Sequence, residues 1–114
     1  MLTPGKLTHF QKGDDFKDIL TKNKNQVLFI EFLTEWCIPC KALEPKLIKF
    51  CQDNNYCLLS IDAEKHPDIA EELDIENVPH VFGYVKGKKV LDFNGANEAF
   101  FEKCIKVINQ TLKK

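Results

Sequence analysis

Hydrophobic and polar positions along this chain form two alternating kinds of pattern. Short apolar runs are typical of strands, and apolar residues spaced three and four apart are typical of amphipathic helices. The patterns predict strands near residues 6–10, 26–33, 56–61, 80–85 and 88–93. They predict helices that begin near Gly13, that cover 38–53 and 66–73, and that follow a cap at Asn97.

The predicted order of elements is β-α-β-α-β-α-β-β-α. Alternating strands and helices imply a parallel sheet with helices on both faces, and the hairpin that turns at residues 86–88 adds antiparallel strands. The strand at 26–33 is apolar without alternation, which is typical of a strand buried on both faces. We therefore expect an α/β fold with a central mixed five-stranded sheet flanked by four helices.

Two cysteines follow this central strand, at the start of the next helix. A thiol at a helix N-terminus is acidified by the helix dipole and by unpaired N–H groups, and its thiolate is the nucleophile of disulfide exchange. We assign Cys37 as the nucleophile, and Cys40, one helical turn further on, as the cysteine that resolves the mixed disulfide. The alternatives are half of a zinc site or two inert thiols, but tetrahedral zinc takes four ligands and the sequence has no second C-x-x-C.

The segment EWCIPCK at residues 35–41 resembles the active-site segment of the thioredoxin family. The resemblance extends over roughly residues 7–112 and includes the Val78-Pro79 pair and the turn at 93–97. It implies the thioredoxin fold and a protein-disulfide reductase that an NADPH-dependent thioredoxin reductase recycles. Implied substrates are disulfide-containing proteins such as peroxiredoxins, and the resemblance implies no cofactor and no metal.

Three residues depart from the usual pattern of that family. Ile38 stands where the family usually has glycine, Glu31 where it usually has aspartate, and Gly83 where it usually has a large apolar residue. We expect these departures to affect the substrate range and the redox potential more than the basic chemistry.

Glu31 interrupts the apolar run of the central strand, six residues before Cys37. Burying a charged carboxylate is costly, so we expect its pKa to be raised. A raised pKa suits Glu31 to accept the Cys40 proton as Cys40 attacks the mixed disulfide. The alternative is that the longer glutamate side chain reaches solvent.

Five residues are expected to bind substrate, namely Trp36, Ile38, Pro39, Val78 and Pro79. The resemblance implies a cis Val78–Pro79 bond that faces the disulfide and lets Val78 backbone groups pair with an extended substrate. A plain trans turn is the alternative. Trp36 either offers an apolar contact surface that shields the disulfide or packs partly in the core, and Ile38 is expected at the rim.

Four residues outside the motif have open roles. His80 follows Pro79 and either tunes the acidity of the thiolate or is an ordinary strand residue. Cys51, Cys57 and Cys104 lie in apolar-spaced elements, where free cysteine behaves as a buried small hydrophobe. Regulatory oxidation of one of these three thiols is the alternative.

Composition narrows the classes of function. The 114 residues correspond to one domain over residues 1–114. The net charge of −1 gives no basic excess that would indicate a nucleic acid or an anionic membrane as partner. No apolar run approaches the roughly 18 residues of a membrane span.

The cysteine count and the N-terminal residues indicate a location. Five cysteines is an odd number, which favours a reducing compartment, and we take it to be the cytoplasm. The first six residues lack the apolar stretch of a signal peptide. Two alternatives to a reductase stay open: an oxidase or isomerase with the same chemistry, and a binding module with little turnover.

Overall fold

The computed structural model describes residues 1–95 and 99–113, so the cap predicted at Asn97 lies outside the described residues. The predicted strands and helices are confirmed; the strands and the two middle helices lie within two residues of their expected bounds, and the first helix begins at Phe16, three residues after Gly13. In chain order the elements are β1 Leu7–His9, α1 Phe16–Lys22, β2 Leu28–Leu33, α2 Ile38–Asn54, β3 Cys57–Asp62, α3 Pro67–Glu72, β4 His80–Val85, β5 Lys88–Asn94 and α4 Ala99–Leu112. Among the described residues, no helix is long and apolar enough to cross a membrane.

The five strands form one sheet in the order β1-β3-β2-β4-β5. β1 and β2 both run parallel to β3, whereas β4 runs antiparallel to β2 and to β5. This is the mixed sheet that the sequence predicts. β2 occupies the centre, and its residue Glu31 lies between Ser60 of β3 and Val81 of β4.

Successive residues of β2 point to opposite faces of the sheet, and each face carries its own hydrophobic core. Phe29 packs with buried residues of α2 and α4 on one face, and Phe32 packs on the other face, which α1 and α3 cover. By the same alternation Glu31 points toward α2 and α4. His80, the register partner of Phe32, shares the face of α1 and α3. α2 runs unbroken through Pro45.

A β-bulge shapes the hairpin of β4 and β5. Lys86 and Gly87 form its turn with positive φ angles of 55° and 79°. Tyr84 pairs with Lys89 but Gly83 pairs with Leu91, so Val90 is an extra residue on β5. A Cβ atom on Gly83 would lie 2.8 Å from Cδ1 of Leu91. The glycine at this unusual position therefore makes room for a leucine from the neighbouring strand.

Candidate active site at the start of α2

A disulfide joins Cys37 and Cys40 at the N-terminus of α2, with 5.2 Å between their Cα atoms. Cys37 is the N-cap: its backbone is extended, and its sulfur accepts a hydrogen bond from the Cys40 N–H at 3.2 Å. Pro39 in the first turn has no N–H to leave unpaired, and its ring favours helical φ. The Cys37 sulfur thus lies where the helix dipole and unpaired N–H groups stabilise negative charge.

The two cysteines are covered, while the residues beside them are exposed. Cys37 is 9% exposed, whereas Trp36 is 66% exposed and Ile38 is 78% exposed. Packing in the core is therefore not the main role of Trp36. An ion pair of 2.9 Å between Glu35 and Lys65 links this turn to the segment that follows β3.

The Val78–Pro79 peptide bond is cis, as the resemblance implied, so the alternative of a trans turn is wrong. The Pro79 carbonyl accepts a hydrogen bond of 2.9 Å from the Gly95 N–H, and Val78 packs against the core under α1 and α3. The substrate contacts expected of these two residues stay predictions.

Glu31 is completely buried, and the alternative that it reaches solvent is wrong. Neither carboxyl oxygen has a hydrogen-bond partner among the described residues. Burial, and to a smaller extent the nearby Glu44 carboxyl, together raise the pKa of Glu31 to about 9. The expected direction of the pKa shift is therefore confirmed.

A second carboxyl group, that of Glu44, acts on Glu31, and the sequence pattern does not predict this. Glu44 is half-buried and lies four residues after Cys40, on the same side of α2. The spacing from Cys40 alone does not identify the approach of Glu44 to Glu31, because it does not define how α2 is rotated on the sheet.

The backbone of His80 pairs as a regular part of β4, and its side chain has a specific partner. Its Nε2 lies 2.5 Å from Oδ1 of Asp92 on β5. The imidazole points to the face of the sheet opposite to Glu31, which does not favour a direct action on the thiolate.

The remaining cysteines are buried, as their spacing predicts. Burial raises the pKa of Cys51, Cys57 and Cys104, so their thiols are held in the unreactive protonated form at neutral pH. Within the described ranges, no group of three His, Cys, Asp or Glu side chains is arranged to hold a metal ion.

Comparison with known proteins gives a consistent result. A family model described as Thioredoxin matches residues 7–107. Thioredoxin-1 of Schizosaccharomyces pombe is 34% identical over 97 residues, which cover 82% of this chain and 90% of that protein. Monothiol glutaredoxin-4 of the same organism is 38% identical over 86 residues, which cover 74% of this chain but only 35% of that protein.

Two similar solved structures cover most of both chains. One is the complex of ferredoxin:thioredoxin reductase with thioredoxin f2, with a TM-score of 0.79, 25% identity, and coverage of 96% of this chain and 98% of that one. The other concerns thiol resolution in yeast mitochondrial 1-Cys peroxiredoxin through glutathione/thioredoxin systems, with a TM-score of 0.76, 28% identity, and coverage of 91% and 97%. The chain belongs to the thioredoxin family, a family of thiol–disulfide oxidoreductases.

Proposed function

We propose that this chain, within the dithiol–disulfide exchange of its family, is a protein-disulfide reductase with Cys37 as nucleophile and Cys40 as resolving cysteine. The observation that carries the proposal is the position of Cys37 as N-cap of α2, where its sulfur accepts the Cys40 N–H. That environment stabilises a thiolate on Cys37 more than on Cys40, which lies inside the helix and is buried.

The reaction begins from the reduced dithiol. The Cys37 thiolate attacks one sulfur of a substrate disulfide, forms a mixed disulfide, and releases the other substrate sulfur as a thiolate that takes a proton from water. Cys40 then loses its proton and attacks the Cys37 sulfur. The second substrate sulfur leaves, the Cys37–Cys40 disulfide forms, and two electrons have passed from the dithiol to the substrate.

Glu31 is the proposed acceptor of the Cys40 proton. A carboxyl with a pKa of about 9 is mostly protonated at pH 7, so only a small ionised fraction accepts the proton, and this fraction grows as the pH rises. In the reverse direction the protonated carboxyl can protonate Cys40 when a reductase attacks Cys37. We expect Glu31→Gln to slow resolution between about pH 6 and 9, and an unchanged rate would remove Glu31 from the mechanism.

The substrate-binding surface is proposed to comprise Trp36, Ile38, Pro39, Val78 and Pro79. The exposure of Trp36 and Ile38 supports this proposal, because large apolar side chains that stay in solvent add little to the core and are available to a partner. The backbone of Val78 would pair with an extended segment of the substrate beside the disulfide.

Reductases and disulfide-bearing substrates are the partner classes that similar structures support. We propose, more specifically, an NADPH-dependent thioredoxin reductase as electron donor and peroxiredoxins among the substrates. We also propose that residues 1–114 form a single thioredoxin domain and that the protein acts in the cytoplasm.

Reduction of insulin disulfides tests this function. We expect turnover with dithiothreitol, and also with NADPH and a thioredoxin reductase, and we expect none from Cys37→Ser. A redox potential near −180 mV would favour an isomerase, and absence of turnover with either electron source would favour a binding module.

A further inference from the structure

The proposed mechanism leaves without a role one polar pair next to the cis proline, in which His80 is largely buried and Asp92 is exposed. His80 directly follows Pro79, and its Nε2 contacts Oδ1 of Asp92. The other carboxylate oxygen of Asp92 accepts a hydrogen bond of 2.8 Å from the Lys89 ammonium. Burial alone would raise the pKa of Asp92, but hydrogen bonds from Lys89 and His80 outweigh it and lower that pKa, so the carboxylate is charged at neutral pH.

The β-bulge is what brings Asp92 to His80. Beyond the bulge, Phe82 pairs with Asp92 and His80 pairs with Asn94, so His80 and Asp92 are diagonal neighbours on one face. If every residue of β5 followed the register of the turn, with no bulge at Val90, Asp92 would lie opposite Val81, on the other face.

The imidazole of His80 is held on several sides. Its side chain is only 12% exposed, and its ring meets Phe32 and Phe82 edge-on, with centroid distances of 6.5 and 5.0 Å. Nδ1 is buried without a hydrogen-bond partner among the described residues, so the bond to Asp92 is the one that fixes the ring. Because a carboxylate only accepts, Nε2 is assigned as the donor.

The backbone at this point is anchored too. The Pro79 carbonyl accepts the Gly95 N–H, and His80 pairs with Phe32 on one side and Asn94 on the other. Residues 79 and 80 are thus held by the backbone bond from Gly95, which directly follows β5, by strand pairing with Asn94 and by the side-chain contact with Asp92.

We propose that His80 and Asp92 form a positioning pair that holds the Val78–Pro79 segment in the conformation that pairs with an extended protein substrate. This inference rests on the proposed substrate role of Val78. If the pair is broken, the segment samples other conformations, and the apparent dissociation constant rises by the reciprocal of the fraction that stays competent. A small disulfide does not need backbone pairing, so its reduction should be insensitive to the pair.

The test compares two substrates in single-turnover reactions of pre-reduced protein. With insulin, we expect His80→Ala to raise the half-saturating concentration about three- to tenfold, with little change in the maximal rate. This rise corresponds to about a third to a tenth of the molecules holding the segment in the competent conformation. With 5,5′-dithiobis(2-nitrobenzoic acid), the rate should stay within about twofold of the wild type. His80→Gln should recover most of the loss, because its amide N–H can still reach Asp92.

Two further variants establish that the pair acts as a unit. Asp92→Ala should match His80→Ala, and the double variant should be no worse than either, because both remove the same contact. Asp53→Ala, which removes the 2.9 Å ion pair with Lys49 near the far end of α2, is the matched control. It should change neither the half-saturating concentration of insulin nor the rate with the small disulfide. Amide hydrogen exchange at Gly95 should accelerate in His80→Ala but not in the control.

Several outcomes would overturn the inference. One is an equal loss with both substrates, and another is an unchanged half-saturating concentration for insulin in His80→Ala. If His80→Ala does not fold, Asp92→Ala gives the same comparison, and a half-saturating insulin concentration equal to that of wild type in this variant overturns the inference as well. If wild-type protein reduces neither substrate, the proposed reductase function fails; if it reduces both and the variants are silent, only this inference fails.

Discussion

Glu31→Gln replaces a buried carboxyl by an amide of similar shape that is neutral at every pH. The pKa of Glu31 is about 9 in the folded protein, against 4.5 for an unperturbed glutamate. Between these values the native state holds a proton that the unfolded state has released. Stability therefore decreases as the pH rises through this window, and the full stability of the wild type is present only below about pH 4.5.

The size of the effect follows from the two pKa values. Each pH unit above the unfolded pKa costs about 1.4 kcal/mol, so the cost of keeping Glu31 protonated is about 3 kcal/mol at pH 7 and about 1 kcal/mol at pH 5. The glutamine variant avoids this cost. We expect the stability of Glu31→Gln relative to the wild type to increase by about 2 kcal/mol between pH 5 and pH 7, on top of a pH-independent difference for burying the amide.

Urea unfolding of the oxidised protein at pH 5, 6, 7 and 8 measures this difference. Glu102→Gln, on the exposed side of α4, is a matched control that should leave the pH dependence unchanged. Glu44→Gln should flatten the dependence, because the Glu44 carboxyl contributes to the raised pKa of Glu31. A stability difference between Glu31→Gln and wild type that does not vary with pH would refute the reasoning.

Three further predictions concern the cysteine pair and the two unusual residues. Cys40→Ser should accumulate a mixed disulfide through Cys37 on a non-reducing gel, and Cys37→Ser should trap almost none; trapping through Cys40 would reverse the assignment. Gly83→Ala should lower the free energy of unfolding by about 1–3 kcal/mol, because its Cβ would lie 2.8 Å from Leu91 Cδ1, and an unchanged urea midpoint would contradict this. Ile38→Gly should shift the redox potential by no more than about 30 mV from a value near −270 mV but should broaden the range of reductases accepted, and a larger shift in a glutathione titration would count against it.

The sequence predicts the sheet and the position of the cysteine pair because these depend on local pattern. Hydrophobic periodicity identifies each element, and the apolar neighbours of Glu31 leave its side chain no polar environment on β2. Burial and a raised pKa at Glu31 follow from that context alone.

Glu44 and Asp92 could not be assigned in this way, because each acts on a residue of another element. The effect of Glu44 on Glu31 depends on how α2 is rotated on the sheet, and spacing within the helix does not define that rotation. The contact of Asp92 with His80 depends on the bulge at Val90. If the strand register is extended from the turn with no bulge, Asp92 is assigned to the wrong face of the sheet.

The three buried free thiols give this protein natural reporters of its own opening. Cys51 lies in α2, Cys57 in β3 and Cys104 in α4, and each is at most 1% exposed. A thiol reagent can reach such a sulfur only when the surrounding element opens, so its labelling rate measures the free energy of that opening. One labelling time course, analysed peptide by peptide, would rank the local stability of two helices and one strand without any engineered probe.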